Sequence, residues 1–527
     1  MKKILLLILT LCSFSGMVYS DISWSAPVAI STALTNALDP HVAIDSNGNV
    51  TAAWVENSVI KTSSLPSGGS WSAPISLSNS LNTASSPRLG VDSSGNVIAI
   101  WIENLEIESA ILPFGGSWSA ETSPISGSGA SNPALAVDSS GNAVAVWARS
   151  NFIESSTRPV GTGTWSLTSV LSATNSSNPD IAISSFGTAM AIWHSVVSGS
   201  DVIVTDILTI SSNTWAATKN VFTATAAFNH NYPKIALDSN GNAAIAWYRY
   251  NFVNSIAYSN VQVLTASLTQ GANAWGSPAI LSNSGMINPA NLTIRLKFDT
   301  SGNALAVWTN SYDGETYSVE SAQKIFGGSW PASVLPQNPS LYSFGIDMVT
   351  ASGTALLVNM TWDGVSNIQI QSQESDTTDP VIQAWTHSNV FSTGSDNGYP
   401  MCAMSLQGST LNAAAVWISF NGSNTVIDAS TGSDTLVASP SSVSATQSVT
   451  NFGVYNDYFN TITWSASSDP NVIQYNIFRN GVYFTATSSS TLQFIDHNQV
   501  QGGAVTYGVA ALRSDFRQSA IVSFTLF

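Results

Sequence analysis

Charge is scarce in this sequence: only 9 % of its 527 residues are Asp, Glu, Lys or Arg, against roughly 25 % in an average soluble protein. Positive charge is scarcer still, with 15 Lys and Arg against 31 Asp and Glu and a net charge of −16. So few cations on a polyanion cannot neutralise a run of phosphates, which excludes nucleic acid as a partner. Cysteine is almost missing. Cys12 and Cys402 are the only two, and Cys12 falls in a leader, so the mature chain cannot close an internal disulfide and must rest on packing. No stretch approaches the 18 apolar residues of a membrane span. Disorder does not follow from the low charge, because 44 % of residues are hydrophobic and 17 are Trp.

The leader reads as a secretory signal peptide over residues 1–20. Lys2 and Lys3 precede an apolar run from Ile4 to Leu11, and Val18-Tyr19-Ser20 offers a small residue at the cleavage site before Asp21. Removing it takes the net charge to −18. The mature protein is expected to be secreted or at the cell surface, with the periplasm as the alternative. Leu11 before Cys12 lacks the small residue a lipid-anchored cysteine would need.

What the chain does have is a repeat. Trp24, Trp71, Trp118, Trp165, Trp215, Trp275, Trp330 and Trp385 open similar segments, several after Gly-Gly-Ser, at intervals of 47, 47, 47, 50, 60, 55 and 55 residues. A second series interleaves with it: Trp54, Trp101, Trp147, Trp193, Trp247, Trp308 and Trp417. Five of these close the pattern D-x-x-G-N-x-x-x-x-W, starting at Asp45, Asp92, Asp138, Asp238 and Asp299. Ser184 replaces Asp in the fourth copy, and in the degenerate seventh Asn359 stands in the Trp slot.

Each unit reads as four strands. Pro133 to Val137 and Ala143 to Trp147 alternate small and large side chains around Asp138-Ser139-Ser140-Gly141-Asn142, a hairpin with Asp opening the turn and Gly supplying positive φ. A third strand follows near Asn151 to Thr157, and Trp165 opens a fourth. Four short strands in a repeat of this length fit a β-propeller blade. The expected fold is all-β: an eight-bladed propeller over 21–437, with seven as the alternative, then a separate domain over 438–527. The first strand, at Trp24, is expected to complete the last blade, and the Trp series to form the packing between blades. The Ser/Thr-rich stretch from Thr431 to Ser448 reads as a linker.

These units resemble the BNR-type repeats of sialidase-like bacterial propellers, although the Asp here stands nine residues before its Trp where the sialidase Asp-box S-x-D-x-G-x-x-W has about five. The tail resembles a fibronectin type III domain: Ile462-Thr463-Trp464 fits its second strand, Tyr475 to Gly481 its third strand and turn, and Phe494-Ile495-Asp496 and Tyr507 to Ala511 its later core strands. The first resemblance implies a fold more than a function. Sialidases use three arginines, a Tyr–Glu nucleophile pair and an Asp. The propeller has five arginines, Arg88, Arg149, Arg158, Arg249 and Arg295, and the family's Arg-Ile-Pro is replaced by the reversed Ser86-Pro87-Arg88.

No P-loop, Rossmann or G-x-S-x-G fingerprint occurs. His41, His194, His230, His387 and His497 are not at metal-binding spacing and are expected at the surface or at strand ends. The oxygens of the D-x-x-G-N turns could hold Ca²⁺, but an Asx turn accounts for them without it. No cofactor is expected.

One set of residues is singled out by position. If the Pro-led strand is innermost, the D-x-x-G-N and Gly-Gly turns share one face, and the opposite face carries His41, Arg88, Asp180 and Lys234, each following a repeat Pro. It also carries Glu56, Glu103, Arg149 and Arg249, each two residues after a repeat Trp. These eight are the expected ligand-binding rim. The leading expectation is an exported, non-catalytic binding or adhesion protein recognising a glycan or a protein surface. The alternative is a carbohydrate-active enzyme, a sialidase-like glycosidase or lyase, with its site at the axial mouth.

Overall fold

A computed structural model describes residues 22–527, apart from 121–122, 186, 217, 224–227, 255–256, 273, 288–291, 312–316, 332–341, 352, 363–367, 377–384, 395–397, 515–517 and 520. The leader with Cys12 therefore lies outside the described residues. The chain divides into two compact units, Asp21–Thr435 and Leu436–Phe527. Among the described residues there is no α-helix, only one 3₁₀ turn at Ile210–Ser212, and no helix long and apolar enough to cross a membrane.

The described residues of Asp21–Thr435 form eight antiparallel sheets, an arrangement consistent with a β-propeller. The third is representative, with strands Ala130–Val137, Ala143–Arg149, Phe152–Arg158 and Ser169–Val170. The first strands of the eight sheets are Ala37–Ile44, Ala84–Val91, Ala130–Val137, Ser176–Ile183, Asn229–Leu237, Ile294–Phe298, Tyr342–Ala351 and Gly398–Gln407. Each packs on the next, and the eighth packs on the first, so the cycle is closed. The N-terminal segments Ser23–Trp24 and Val28–Ala29 pair with Thr425–Thr435 and complete the last sheet. Gly432 makes room for this. A Cβ there would stand 2.4 Å from Ile22 and 2.9 Å from the Trp24 ring.

The core is a series of apolar layers between successive sheets. Trp147 of the third sheet packs on Ile100 and Ile107 of the second, and Trp54 of the first packs with Val416 and Ile418 of the eighth. Trp54, Trp101, Trp147, Trp193, Trp247, Trp308 and Trp417 are all buried. The other Trp series is placed differently. Trp71, Trp165 and Trp275 stand four residues ahead of two-residue fourth strands (Ile75–Ser76, Ser169–Val170, Ala279–Ile280) and are half-buried. Trp275, Trp330 and Trp385 donate their indole N–H to Thr205, Ser267 and Ser321 of the preceding sheet, at 3.1–3.3 Å. They clamp sheet to sheet.

The repeated turn closes on its own atoms. Asp138 Oδ1 accepts the backbone N–H of Ser140 and Asn142, and Oδ2 accepts from Asn142 Nδ2, each at 2.7–2.9 Å. Asn142 Oδ1 then accepts the N–H of Val160 in the turn joining the third and fourth strands, so both turns lie at one end of the sheet. The same bonds recur at Asp45, Asp92, Asp238 and Asp299. Gly95 has φ +84°, and a Cβ on it would stand 2.7 Å from Asp45 Oδ2 of the preceding sheet, so the Gly also lets neighbouring turns approach.

The Ser/Thr stretch expected as a linker is mostly strand. Thr431–Thr435 ends the last strand of the eighth sheet, Ser441–Ser448 lies in the strand Ser441–Asn451, and only residues 436–440 separate them. Ser and Thr tolerate half-exposed strands, and composition alone could not tell the two states apart. Leu436–Phe527 contains a three-stranded and a four-stranded antiparallel sheet around a core of Ile462, Trp464, Tyr475, Ile477, Tyr507 and Val509.

Candidate axial site

A bulge shapes one end of the first strands. The residues before the repeat prolines, Asp39, Ser86, Asn132, Asn178, Tyr232 and Tyr399, all have φ between 46° and 56°. Each coincides with a register shift in the first hairpin. A left-handed, non-glycine residue at the same place in six sheets re-aims the side chains that follow.

The residue after the bulge occupies one register position throughout, opposite the residue that precedes the repeat Trp. These residues are His41, Arg88, Ala134, Asp180, Lys234, Arg295, Asp347 and Met401. The structure thus brings together four expected site residues, His41, Arg88, Asp180 and Lys234, and adds Arg295 and Asp347. Their fields meet across the cycle. Arg88 of the second sheet feels Arg295 of the sixth, four places away, and His41 of the first feels Arg295 and Lys297.

Acceptors in this ring share one role. His41 Nδ1 accepts the N–H of Leu89 at 3.4 Å, Asp180 Oδ2 that of Ile235 at 3.1 Å, and Asp347 Oδ2 that of Cys402 at 2.9 Å, always on the next sheet. Ion pairs join Arg295 Nε to Asp347 Oδ1 at 2.6 Å and Lys234 Nζ to Asp180 Oδ1 at 3.5 Å. The side chain of Lys234 keeps 37 % of its surface accessible and that of Arg295 26 %. These cations are enclosed yet reachable.

Burial, and then Arg88, push His41 down to about 3, so it is uncharged at neutral pH. Burial lowers Lys234 as well, helped by Arg295 and Arg88 and opposed by Asp180. The unfolded chain would protonate His41 near 6.5, whereas the folded ring resists protonation until about 3. The unfolded state therefore binds more protons between these values, and stability falls as pH drops through the window. Melting curves from pH 7 to 4 should show a smaller acid-side loss in His41→Gln than in the wild type. Parallel curves would refute a neutral His41.

The four residues placed two after a Trp are used otherwise. Glu56 and Glu103 are buried and accept the indole N–H of Trp54 and Trp101 at 3.0 and 2.9 Å. Burial would raise the Glu56 carboxyl, but hydrogen bonds from Thr32, Trp54 and Thr35 outweigh it and hold it below its ordinary value. Arg149 pairs with Glu154, which accepts the Trp147 indole at 3.0 Å. Arg249 donates to Gln262 Oε1 and stands over the Phe228 ring. None of the four belongs to the ring.

His230 stands at the start of the strand Asn229–Leu237, one of the two places expected for the histidines, and is buried there. His194 lies inside the strand Thr188–Val197 and is buried, unlike the expectation. Among the described residues no group of three or more His, Cys, Asp or Glu is placed to hold a metal ion.

No family model matches the chain, and no curated protein matches it. Solved structures do. The Dos1 propeller is similar with a TM-score of 0.44 and 10 % identity over 78 % of this chain and 95 % of its own. A PL25 ulvan lyase bound to -[GlcA(1-4)Rha3S]- is similar at 0.38 and 11 %, over 78 % and 97 %. A leech intramolecular trans-sialidase is similar at 0.35 and 9 %, over 76 % and 91 %. At such scores and identities they say nothing of this chain's own ligand.

Proposed function

We propose that this is an exported eight-bladed propeller of the BNR, sialidase-like kind, with a fibronectin type III tail as spacer or contact module, that takes an anionic saccharide at its axial ring. The convergence of cations carries this reading. Of only 15 Lys and Arg in the chain, Arg88, Lys234 and Arg295 gather at one ring, with Lys297 two residues further along the strand that carries Arg295. Three carboxylates, Asp39, Asp180 and Asp347, and an uncharged His41 act on these four cations, leaving a net positive charge inside an acidic protein. Forked guanidinium groups suit a carboxylate or sulfate, and ring hydrogen bonds suit sugar hydroxyls.

A screen of the full chain against neutral, carboxylated and sulfated saccharides tests the reading. Binding should favour the acidic members and weaken with added salt. Binding of neutral saccharides alone, or of none, would overturn it.

Turnover is a second reading, favoured by the lowered Lys234 ammonium beside Asp180. A half-buried lysine whose ammonium is held below its ordinary value can act as a base in β-elimination or hydrolysis of the bound saccharide. New reducing ends or unsaturated products that disappear in Lys234→Met would establish it, and binding without products would leave the non-catalytic protein.

A further inference from the structure

Beside the ring, the fourth sheet holds a chain of hydrogen bonds that the ring does not use. His194 Nε2 lies 2.9 Å from Asp201 Oδ1, and His194 Nδ1 lies 3.2 Å from Ser177 Oγ. Asp201 Oδ2 is fixed by the backbone N–H of His230 at 2.8 Å. An ionised Asp201 can only accept, so Nε2 carries the imidazole hydrogen and Nδ1 is left as the acceptor toward the Ser177 hydroxyl. His194 is buried, and Ser177 is half-buried, at the bulge and three residues before Asp180.

The repeat does not require this arrangement. The residue after the repeat Trp is Val55, Ile102, Ala148, Tyr248, Thr309 and Ile418 in other sheets, and only the fourth has a histidine. Asp201 comes within reach because that sheet's second hairpin is longer. Its strands are Thr188–Val197 and Ser200–Thr209, while Val50–Glu56 in the first sheet stops two residues after its Trp. A buried imidazole and a half-buried carboxylate stand where four of those six sheets carry an apolar side chain, and such groups are costly to enclose without a purpose.

We propose that Ser177, His194 and Asp201 form an acyl-transfer site acting on carboxylic esters, with Ser177 as nucleophile, His194 as general base and Asp201 as its positioning residue. Ser177 Oγ attacks the ester carbonyl carbon as its proton passes to His194 Nδ1. The C–O bond to the alcohol breaks, the alcohol leaves with that proton, and the acyl group stays on Ser177. Water, deprotonated by His194, then releases the carboxylic acid and restores the serine. The ring nitrogens are exchanged relative to the commonest Ser-His-Asp arrangement, but the two roles need only one accepting and one donating nitrogen. The inference does not depend on what the axial ring binds.

The full chain, treated with a fluorophosphonate and digested, should carry the label on Ser177. It should also hydrolyse p-nitrophenyl acetate, with kcat/KM falling about 10²-fold or more in Ser177→Ala and in His194→Gln. Asp201→Asn should lower kcat with little change in KM, a split that a merely structural role would not give. Melting temperatures of the three variants identify any that fail to fold, and Ser177→Ala removes only one hydroxyl. No label on Ser177 in the folded protein, or equal labelling in a folded His194→Gln, would overturn the proposal. Failure here would leave the saccharide screen unaffected.

Discussion

Replacing Trp147 with alanine should lower the unfolding free energy of the protein by about 3–5 kcal/mol, measured from denaturant midpoints at unchanged slope. The indole is fully buried among Ile100, Ile107, Ala130 and Ala145, at the seam of the second and third sheets. Truncation removes apolar contacts and leaves a cavity that two stiff sheets cannot collapse into. It also removes the indole donor to Glu154 Oε2. Arg149 still donates to both Glu154 oxygens, so the acid is not stranded, and most of the loss is packing. Trp147→Phe should therefore recover more than half of it. A loss under about 1 kcal/mol in the alanine variant would show that the seam is not the core.

Arg295→Ala should weaken binding of an acidic saccharide by about 10- to 10²-fold, since a charge-assisted pair is worth roughly 1.5–3 kcal/mol and each 1.4 kcal/mol is tenfold. Arg295 stands among the other ring charges and reaches Arg88 and His41 electrostatically across the cycle. Its removal also deprives Asp347 of a 2.6 Å partner, leaving the Cys402 N–H. Arg295→Lys keeps the charge and loses the fork, so it should recover part of the affinity. Lys61, on the third strand of the first sheet and bonded to Ser76, is the control; Lys61→Ala should leave affinity within twofold. Titration calorimetry at two salt concentrations separates the outcomes, and unchanged affinity in Arg295→Ala would remove the ring from binding.

Much of this architecture was legible because it repeats. The D-x-x-G-N turns could be read from one copy and checked against four others, and the pairing of Trp24 with the last sheet followed from a period that began with a fourth strand. The Pro-led strands brought His41, Arg88, Asp180 and Lys234 into one set. Arg295 and Asp347 escaped because no proline precedes them; Ile294 and Ile346 stand there instead. Counting back thirteen residues from Trp308 would have reached Arg295, but the same count from the Asn359 slot lands on Ile346, one residue short of Asp347. Glu56 and Glu103 were placed by the right spacing but for another reason. An indole N–H buried between sheets needs an acceptor, and an acid two residues along the same strand returns to the same face. Glu154 and Glu320 meet that need from the neighbouring strand, at spacings of seven and twelve from their Trp, which no linear motif reveals. The histidine cluster depended on a longer hairpin, and hairpin length is weakly written in sequence.

The way the last sheet is completed also sets a clock. Ser25 bonds Ser430 and Thr431, partners 405 and 406 residues away, and Ile22 donates to Glu374 from 352 residues away. A ribosome adding about 5–20 residues per second makes those partners roughly 20–80 s after the opening segment. Until then the leading edge has nothing to zip onto, and the circle stays open. Chaperone capture or passage through a narrow pore before that moment meets an unlatched chain. Afterwards it meets a ring that must first be unfastened at a single joint.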